Sequence, residues 1–440
     1  MNEKKKGLGL VALIAIATGS TIGSAVVTLI GQAIGVTGKS AWLAYMAAIA
    51  VGLFLVIPYA LLSSQMRVNG GNYTLVSVAL GDYWGGVIGV TSILNVFSMA
   101  MFGTSIGIYI NSLVPSVQPK IGGMIAITAF FVLNLYGVKS MSKIQNILSV
   151  ILIGGLGLFI VMGLPKLQPG LLDFADPEYF SGGIDGFSAA VMLLFMSATG
   201  QRFLIAFSKD AENPKRNLPL AMFATTLIIL FIYTGVAIVN CGILPIDDVK
   251  GQPLTVIASH IMPGALYYFF IIGGPIMALA TTLNGSFAIA ANPLQQAAKD
   301  GWLPMGLAKT NKNGVSYIIY VILYVCSVIP LLFDINIAVL ASTAVLGISV
   351  AEIIILAAIL VLPNKVPEAW EKRYYKIPRT LYRVFIVLAI LLQAYMLSIS
   401  LKNTTVLLAG ITVVLFIIFF LNAYIRRKSG KVKIEKSYEI

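Results

Sequence analysis

Twelve apolar runs dominate this sequence, and no polar stretch between them is long enough to be a soluble domain. A spanning helix needs about 20 mostly apolar residues. The runs fall at about 7–35, 40–64, 83–113, 121–138, 143–165, 184–208, 218–243, 263–298, 315–333, 336–361, 379–401 and 404–427. Hydrocarbon offers no partner for backbone N–H and C=O groups, so such runs can fold only as helices that satisfy themselves. The expected fold class is therefore all-α integral membrane, with about twelve transmembrane helices in a single domain spanning 1–440. Composition agrees. Only 11% of the 440 residues are charged, where soluble domains average about 25%.

The formal charge of +13 marks topology and not a nucleic-acid partner. With the N-terminus inside, the cytoplasmic segments hold 24 of the 30 basic residues and the outer segments hold 5. Arg202 lies within a span. That asymmetry places both termini in the cytoplasm and supports the helix count, because a missed helix would scramble the alternation. Lys4-Lys5-Lys6 precedes an apolar run too long for a signal peptide, so that run reads as a retained first span. The basic tail from Arg426 onward is expected to lie against anionic headgroups. The acidic loop with Asp173, Asp176 and Glu178 reads as a solvated cap. A bacterial cytoplasmic membrane is the expected compartment. Cys241 and Cys326 lie in or beside apolar runs and read as inert thiols, and a lone His260 cannot build a histidine metal cluster. No cofactor is expected.

Two spans carry small polar residues at mid-depth. Helix 1 contains Thr18-Gly19-Ser20-Thr21-Ile22-Gly23-Ser24-Ala25, and helix 6 contains Ser197-Ala198-Thr199-Gly200-Gln201. Either could be a close-packing stripe. As a pair they say more. They lie five helices apart, so two five-helix units would be inverted with respect to each other, and paired interrupted spans point to a transporter's binding site. Unwinding frees N–H groups after Gly23 that suit a carboxylate, and carbonyls in both helices that suit an ammonium group. A zwitterionic amino acid has both.

These residues resemble the amino acid–polyamine–organocation (APC) transporters. The helix 1 segment Gly19-Ser20-Thr21-Ile22-Gly23-Ser24-Ala25 looks like that family's signature, with Ala25 where glycine is usual. Glu212-Asn213-Pro214-Lys215-Arg216-Asn217-Leu218-Pro219 is similar to its loop after helix 6, and Lys299-Asp300-Gly301-Trp302-Leu303-Pro304 to its segment after helix 8. The resemblance implies the LeuT-type fold: helices 1–5 (about 7–165) and 6–10 (about 184–361) as inverted repeats with helices 1 and 6 broken, and helices 11–12 (about 379–427) peripheral. It implies secondary transport by alternating access. Carried over by position, the N–H groups of Ser24 and Ala25 would receive the substrate carboxylate, and the carbonyls of Thr21, Met196 and Thr199 the amino group. Ile22, Gly23, Ser197 and Gly200 would complete the wall.

The departures from the family matter. Where it often places a bulky aromatic lid, this chain has Met196 with Phe195 beside it. Where it commonly has glutamate after the helix 6 glycine, the chain has Gln201-Arg202. Where some members carry a helix 5 lysine, the register from Ile144-Gln145-Asn146 gives Leu152. In sodium-coupled proteins of this fold, helix 8 hydroxyls and helix 1 carbonyls hold the ion. Thr281 and Thr282, with Gly19 and Ile22, are the counterparts here, so sodium and the proton both stay open as coupling ions.

Charges inside spans are costly and default to functional candidates. Arg202 in helix 6 and Glu352 in helix 10 lie at similar depth, and a gating pair is expected in an outward-open state; Arg202 snorkelling to the interface is the alternative. Asn95 in helix 3 either lines the substrate cavity or ties two helices. With few acids in the spans, small neutral amino acids fit better than polyamines or cationic amino acids. No ring of charges suggests a channel, and no acid–base cluster or nucleotide motif suggests an enzyme. The partners expected are the substrate and the lipid bilayer; accessory subunits stay open.

Overall fold

The computed structural model describes residues 7–335, 337–402, 406–434 and 438–440. The Lys4–Lys6 run and the expected first residues of helices 10 and 12, 336 and 404, lie outside them. Among the described residues nine helices are long and apolar enough to cross a membrane, and three shorter apolar ones, Leu10–Thr21, Pro119–Asn134 and Tyr317–Leu332, fill expected positions. The protein is a helical, multi-pass membrane protein.

Helix 1 is Leu10–Thr21 (1a) and Ser24–Thr37 (1b). Helix 2 is Ala41–Gln65, helix 4 Pro119–Asn134, helix 5 Val138–Gly163 and helix 7 Pro214–Gly242. Helix 3 runs from Asp82 to Leu113 through a short 3₁₀ turn at Ser92–Leu94. Helix 6 is Gly183–Phe195 (6a), a 3₁₀ turn at Met196–Ala198, and a 3₁₀ segment Gly200–Phe207 (6b). Helix 8 is Gly264–Ile271 and Met277–Lys299, joined by a π-turn at Ile272–Ile276, where Gly273, Gly274 and Pro275 weaken the regular ladder. Helices 9 to 12 are Tyr317–Leu332, Ile337–Lys365, Arg379–Lys402 and Val406–Lys428.

The break in helix 1 divides that helix between two cores. Leu13, Ile16 and Ala17 of 1a pack with Phe195, with Leu204 and Phe207 of 6b, and with Ile355 and Ile359 of helix 10. Ile22, Val26, Val27 and Ile30 pack instead with helices 2, 5 and 7. A side chain inserted at the break would have to satisfy both. Helices 11 and 12 are the least enclosed of the nine long apolar helices among the described residues: only 22% of the apolar stretch of each is buried inside the protein, and Leu391, Val413, Ile418 and Leu421 lie exposed along them. In a bilayer such surface needs no further partner.

Two surface segments make protein contacts that the sequence did not indicate. The acidic loop after helix 5 is pinned to the turn before helix 2. Lys39 Nζ lies 2.5 Å from Asp176 and 3.3 Å from Glu178, and the N–H groups of Lys39 and Ser40 donate to the carbonyls of Glu178 and Tyr179. The hydrogen-bonded ammonium holds Asp176 below the usual carboxylate range. The end of the basic tail is likewise paired with protein: Tyr438–Glu439 forms a short antiparallel ladder with Arg67–Val68, between helices 2 and 3. Arg67 reaches Glu439 at 3.3 Å and also donates to the carbonyls of Ser208 and Lys209 after helix 6b. Leu8, just before helix 1, exchanges hydrogen bonds with Asp210 and Glu212.

Candidate functional site

The two sequence-marked interruptions are real breaks, and they touch. Regular helix ends at Thr21. The Ile22 N–H still reaches back to Thr18 at 2.8 Å, and the Gly23 N–H folds onto the Thr21 carbonyl at 2.9 Å. Gly23 is extended (φ −98°, ψ −156°), and helix 1b restarts at Ser24 with no side-chain cap. The first N–H groups of a helix lack an intrahelical partner, so those of Ser24 and Ala25 are of this kind. Their side chains, and that of Met196, lie outside what is described.

Gly200 sits directly on this break. A Cβ there would lie 2.6 Å from the Ser20 carbonyl oxygen and 2.7 Å from Thr21 Cα. Gly52 of helix 2 closes on Thr199 from the other side, where a Cβ would come 3.1 Å from its methyl group. Close approach to backbone requires glycine at 200, and the fit at Gly52 is tight.

Two side chains outside the expected set stitch the breaks together, and a third packs on helix 1 beside them. The Tyr233 hydroxyl of helix 7 lies 3.0 Å from the Thr21 carbonyl and 3.3 Å from the Ser197 carbonyl, so one donor serves both broken helices. Its ring packs on Tyr45 with centroids 4.8 Å apart. Gln201 accepts from Thr21 Oγ1 at 3.2 Å, and its amide donates toward the Ala198 carbonyl and Thr226. A glutamate could not make those donations, which gives the departure at this position a structural purpose. Gln145 of helix 5 presses on helix 1, its Nε2 2.0 Å from where a Gly19 Cβ would be, and accepts from Asn284 at 2.7 Å. Leu152, two turns further on, packs in the outer core with helices 1b and 2. Gln145 could have been suspected as a polar residue inside an apolar span. Tyr233 carried no such signal, because an isolated tyrosine in an apolar run is ordinary. In Tyr233→Phe both carbonyls lose that donor while the ring contact stays. The expected cost is about 1–3 kcal/mol, read as a lower melting temperature of the substrate-free protein; an unchanged melting profile would contradict the clasp.

The possible sodium ligands are close together but occupied with one another. The hydroxyls of Thr281 and Thr282 lie 3.1 and 2.9 Å from the Gly19 carbonyl, and each is also 2.9 Å from the Ala278 carbonyl. An ion here would have to replace those hydrogen bonds. Ile22 is fully buried in the break of helix 1, and no hydrogen bond of either threonine reaches it. Phe195 is fully buried in the inner core against helices 1a and 10, a packing position.

Arg202 and Glu352, each only 2% exposed, come together: Nη1 lies 3.8 Å from Oε1. The separation exceeds a hydrogen bond. The Tyr59 hydroxyl lies against the same carboxylate and against the Asn72 side chain. Glu352, Asn72 and Asn95 line a cavity of about 70 Å³ together with Thr91, Ser92 and Phe203. Asn95 is therefore beside Glu352, with its Nδ2 donating to the Ser92 carbonyl at 2.9 Å, and is not grouped with the break residues.

Two interrupted apolar helices whose breaks touch around freed backbone groups are the arrangement expected of a membrane transporter of small solutes. The comparisons agree. A profile of the amino acid permease family matches residues 8–420, and the chain belongs to that family, within the APC transporters. It is 24% identical over 353 residues to a branched-chain amino acid permease of Lactococcus lactis subsp. cremoris, covering 73% of this chain and 75% of the relative. It is 26% identical to a serine/threonine exchanger of Bacillus subtilis, covering 64% and 66%. It is 28% identical to the vacuolar cationic amino acid transporter 2 of Arabidopsis thaliana, covering 71% and 52%, so it spans about half of that protein. The function is amino acid transport, and the family consists of transporters and not of enzymes.

Proposed function

We propose that the chain is a secondary active transporter or exchanger of small neutral amino acids, working by alternating access across a cytoplasmic membrane with both termini inside. Helices 1–5 and 6–10 act as inverted repeats, with helices 11 and 12 at the margin. The observation that carries this reading is the contact between the two breaks: Gly200 against Ser20 and Thr21, and one Tyr233 hydroxyl between the Thr21 and Ser197 carbonyls. The substrate carboxylate docks on the N–H groups of Ser24 and Ala25, with the positive end of helix 1b behind them. Its ammonium docks on carbonyls of Thr21, Met196 and Thr199, with Ile22, Gly23, Ser197 and Gly200 forming the wall. No carboxylate is placed among these residues, which favours a zwitterion over a cation. Arg202 and Glu352 gate the inner route.

The relatives are named for branched-chain, serine/threonine and cationic substrates, so the substrate class has to be settled by experiment. Uptake of radiolabelled leucine, serine, alanine and lysine into proteoliposomes tests the reading, with sodium and proton gradients imposed separately. Saturable uptake of a neutral amino acid is expected. Uptake of lysine alone would replace the neutral class with the cationic one, and no uptake of any amino acid by folded protein would end the reading. A response to sodium would assign Gly19, Ile22, Thr281 and Thr282 to the ion. A response to the proton gradient alone would leave those hydroxyls as helix ties.

A further inference from the structure

The ion pair inside the helix bundle is incompletely satisfied. Arg202 Nε and Nη1, Glu352 Oε1 and Asn72 Oδ1 are buried and have no hydrogen-bond partner among the described residues. Unmet polar groups of this kind, and above all charged ones, are expensive in a low-dielectric interior. A ligand that returned their bonds would be held there. The demand has a particular composition: guanidinium donors need an anionic acceptor, and a carboxylate oxygen beside a polar cavity needs a cationic donor.

One small molecule supplies both from adjacent atoms. We infer that Arg202, Glu352 and the cavity beside them form a second substrate subsite, which takes the head group of a zwitterionic amino acid on its way between the broken-helix site and the cytoplasm. This rests on the transport reading above. Glu352 and Asn72 line the cavity and Arg202 does not, so the head group parts the pair to reach the guanidinium. The ligand carboxylate takes the Arg202 donors, and the ligand ammonium takes Glu352 Oε1 and Asn72 Oδ1. Each buried charge then exchanges one counter-charge for another, and no net charge enters the interior. A substrate with an additional positive charge would break that balance.

The surroundings suit the role. Tyr59 lies against the Glu352 carboxylate and steadies it while Oε1 stays without a bond. Among the groups facing Glu352, Arg202 and Tyr59 are charged or titratable, and Asn72 and Asn95 are neutral amides. At about 70 Å³ the cavity is roughly half the size of an engineered cavity that admits benzene. It has room for a head group, and the side chain would lie toward Ile88, Ile289 and Ile355. Arg202 belongs to helix 6b, three residues after Thr199, so the helix that forms the first site also carries half of the second.

Equilibrium binding of tritiated L-serine and L-leucine to purified full-length protein in nanodiscs, run beside proteoliposome uptake, tests the inference. Wild-type protein should bind two molecules per chain at saturation. The double variant Arg202→Met/Glu352→Gln removes both charges together and so strands neither. It should bind one molecule, keep KM for uptake near wild type, and lose about tenfold in turnover. Arg202→Lys keeps the charge but loses the planar fork; it should weaken the second binding step about tenfold with the first step unchanged. Wild-type protein that transports but binds one molecule would overturn the subsite and leave the transport reading intact, as would two molecules bound by the double variant. Wild-type protein that neither binds nor transports either amino acid would remove the transport reading and the subsite together.

Discussion

Gly200→Ala should reduce amino acid uptake to background while leaving the protein in the membrane and helical. The added methyl would lie 2.6 Å from the Ser20 carbonyl oxygen and 2.7 Å from Thr21 Cα. Both are backbone atoms, so no side-chain rotation relieves the clash. Overpacking of this sort costs about 1–3 kcal/mol when the structure yields, and here it can yield only by moving helix 6b off the helix 1 break. That displacement separates the Thr21 and Ser197 carbonyls from their shared Tyr233 donor. A misplacement of about 1 Å can cost two orders of magnitude in a positioned site, so a loss of about 100-fold or more is expected in the uptake rate. Gly154→Ala is the control: nothing lies within 4 Å of its added methyl, and alanine suits a helix interior better than glycine. Normal uptake by Gly200→Ala would mean that the two breaks do not form one site.

The second large effect concerns the buried ion pair. Arg202→Met should destabilise the protein by about 3–5 kcal/mol, because it leaves the Glu352 carboxylate buried without its counter-charge. Adding Glu352→Gln should restore much of that loss, since a buried pair replaced by neutral groups of similar size is often tolerated. The measurement is thermal unfolding of the wild type, both single variants and the double variant in one detergent. A strong non-additive term is the expected signature of contact. Additive losses would mean that the 3.8 Å approach carries no coupling.

How far the sequence spoke depended on the kind of signal each feature leaves. The helices announced themselves because a bilayer tolerates almost nothing else. The breaks at Ile22-Gly23 and Thr199 were legible because glycines and hydroxyl residues are conspicuous at mid-span. Arg202 and Glu352 stood out for the same reason, and their similar depth could be counted along the chain. The tyrosine that joins the breaks left no mark, since Tyr233 sits in a run where an aromatic residue is unremarkable. Gln145 was visible as a polar residue, but register alone does not say which face of helix 5 meets Gly19. Asn95 was visible too, and only three-dimensional packing placed it beside Glu352. The tail was read as lipid-facing from its charge. Its last residues pair with a two-residue strand at Arg67–Val68, too short to leave a periodic pattern.

That ladder pairs Arg67 with Glu439, 372 positions further along the chain. Chains emerge from the ribosome N-terminus first and domains assemble in that order. Arg67 therefore waits with an open partner position while helices 3 to 12 are made and inserted. The contact closes only after Tyr438 and Glu439 have been synthesised. Chains stalled or truncated before that point would present an unpaired strand edge at Arg67–Val68.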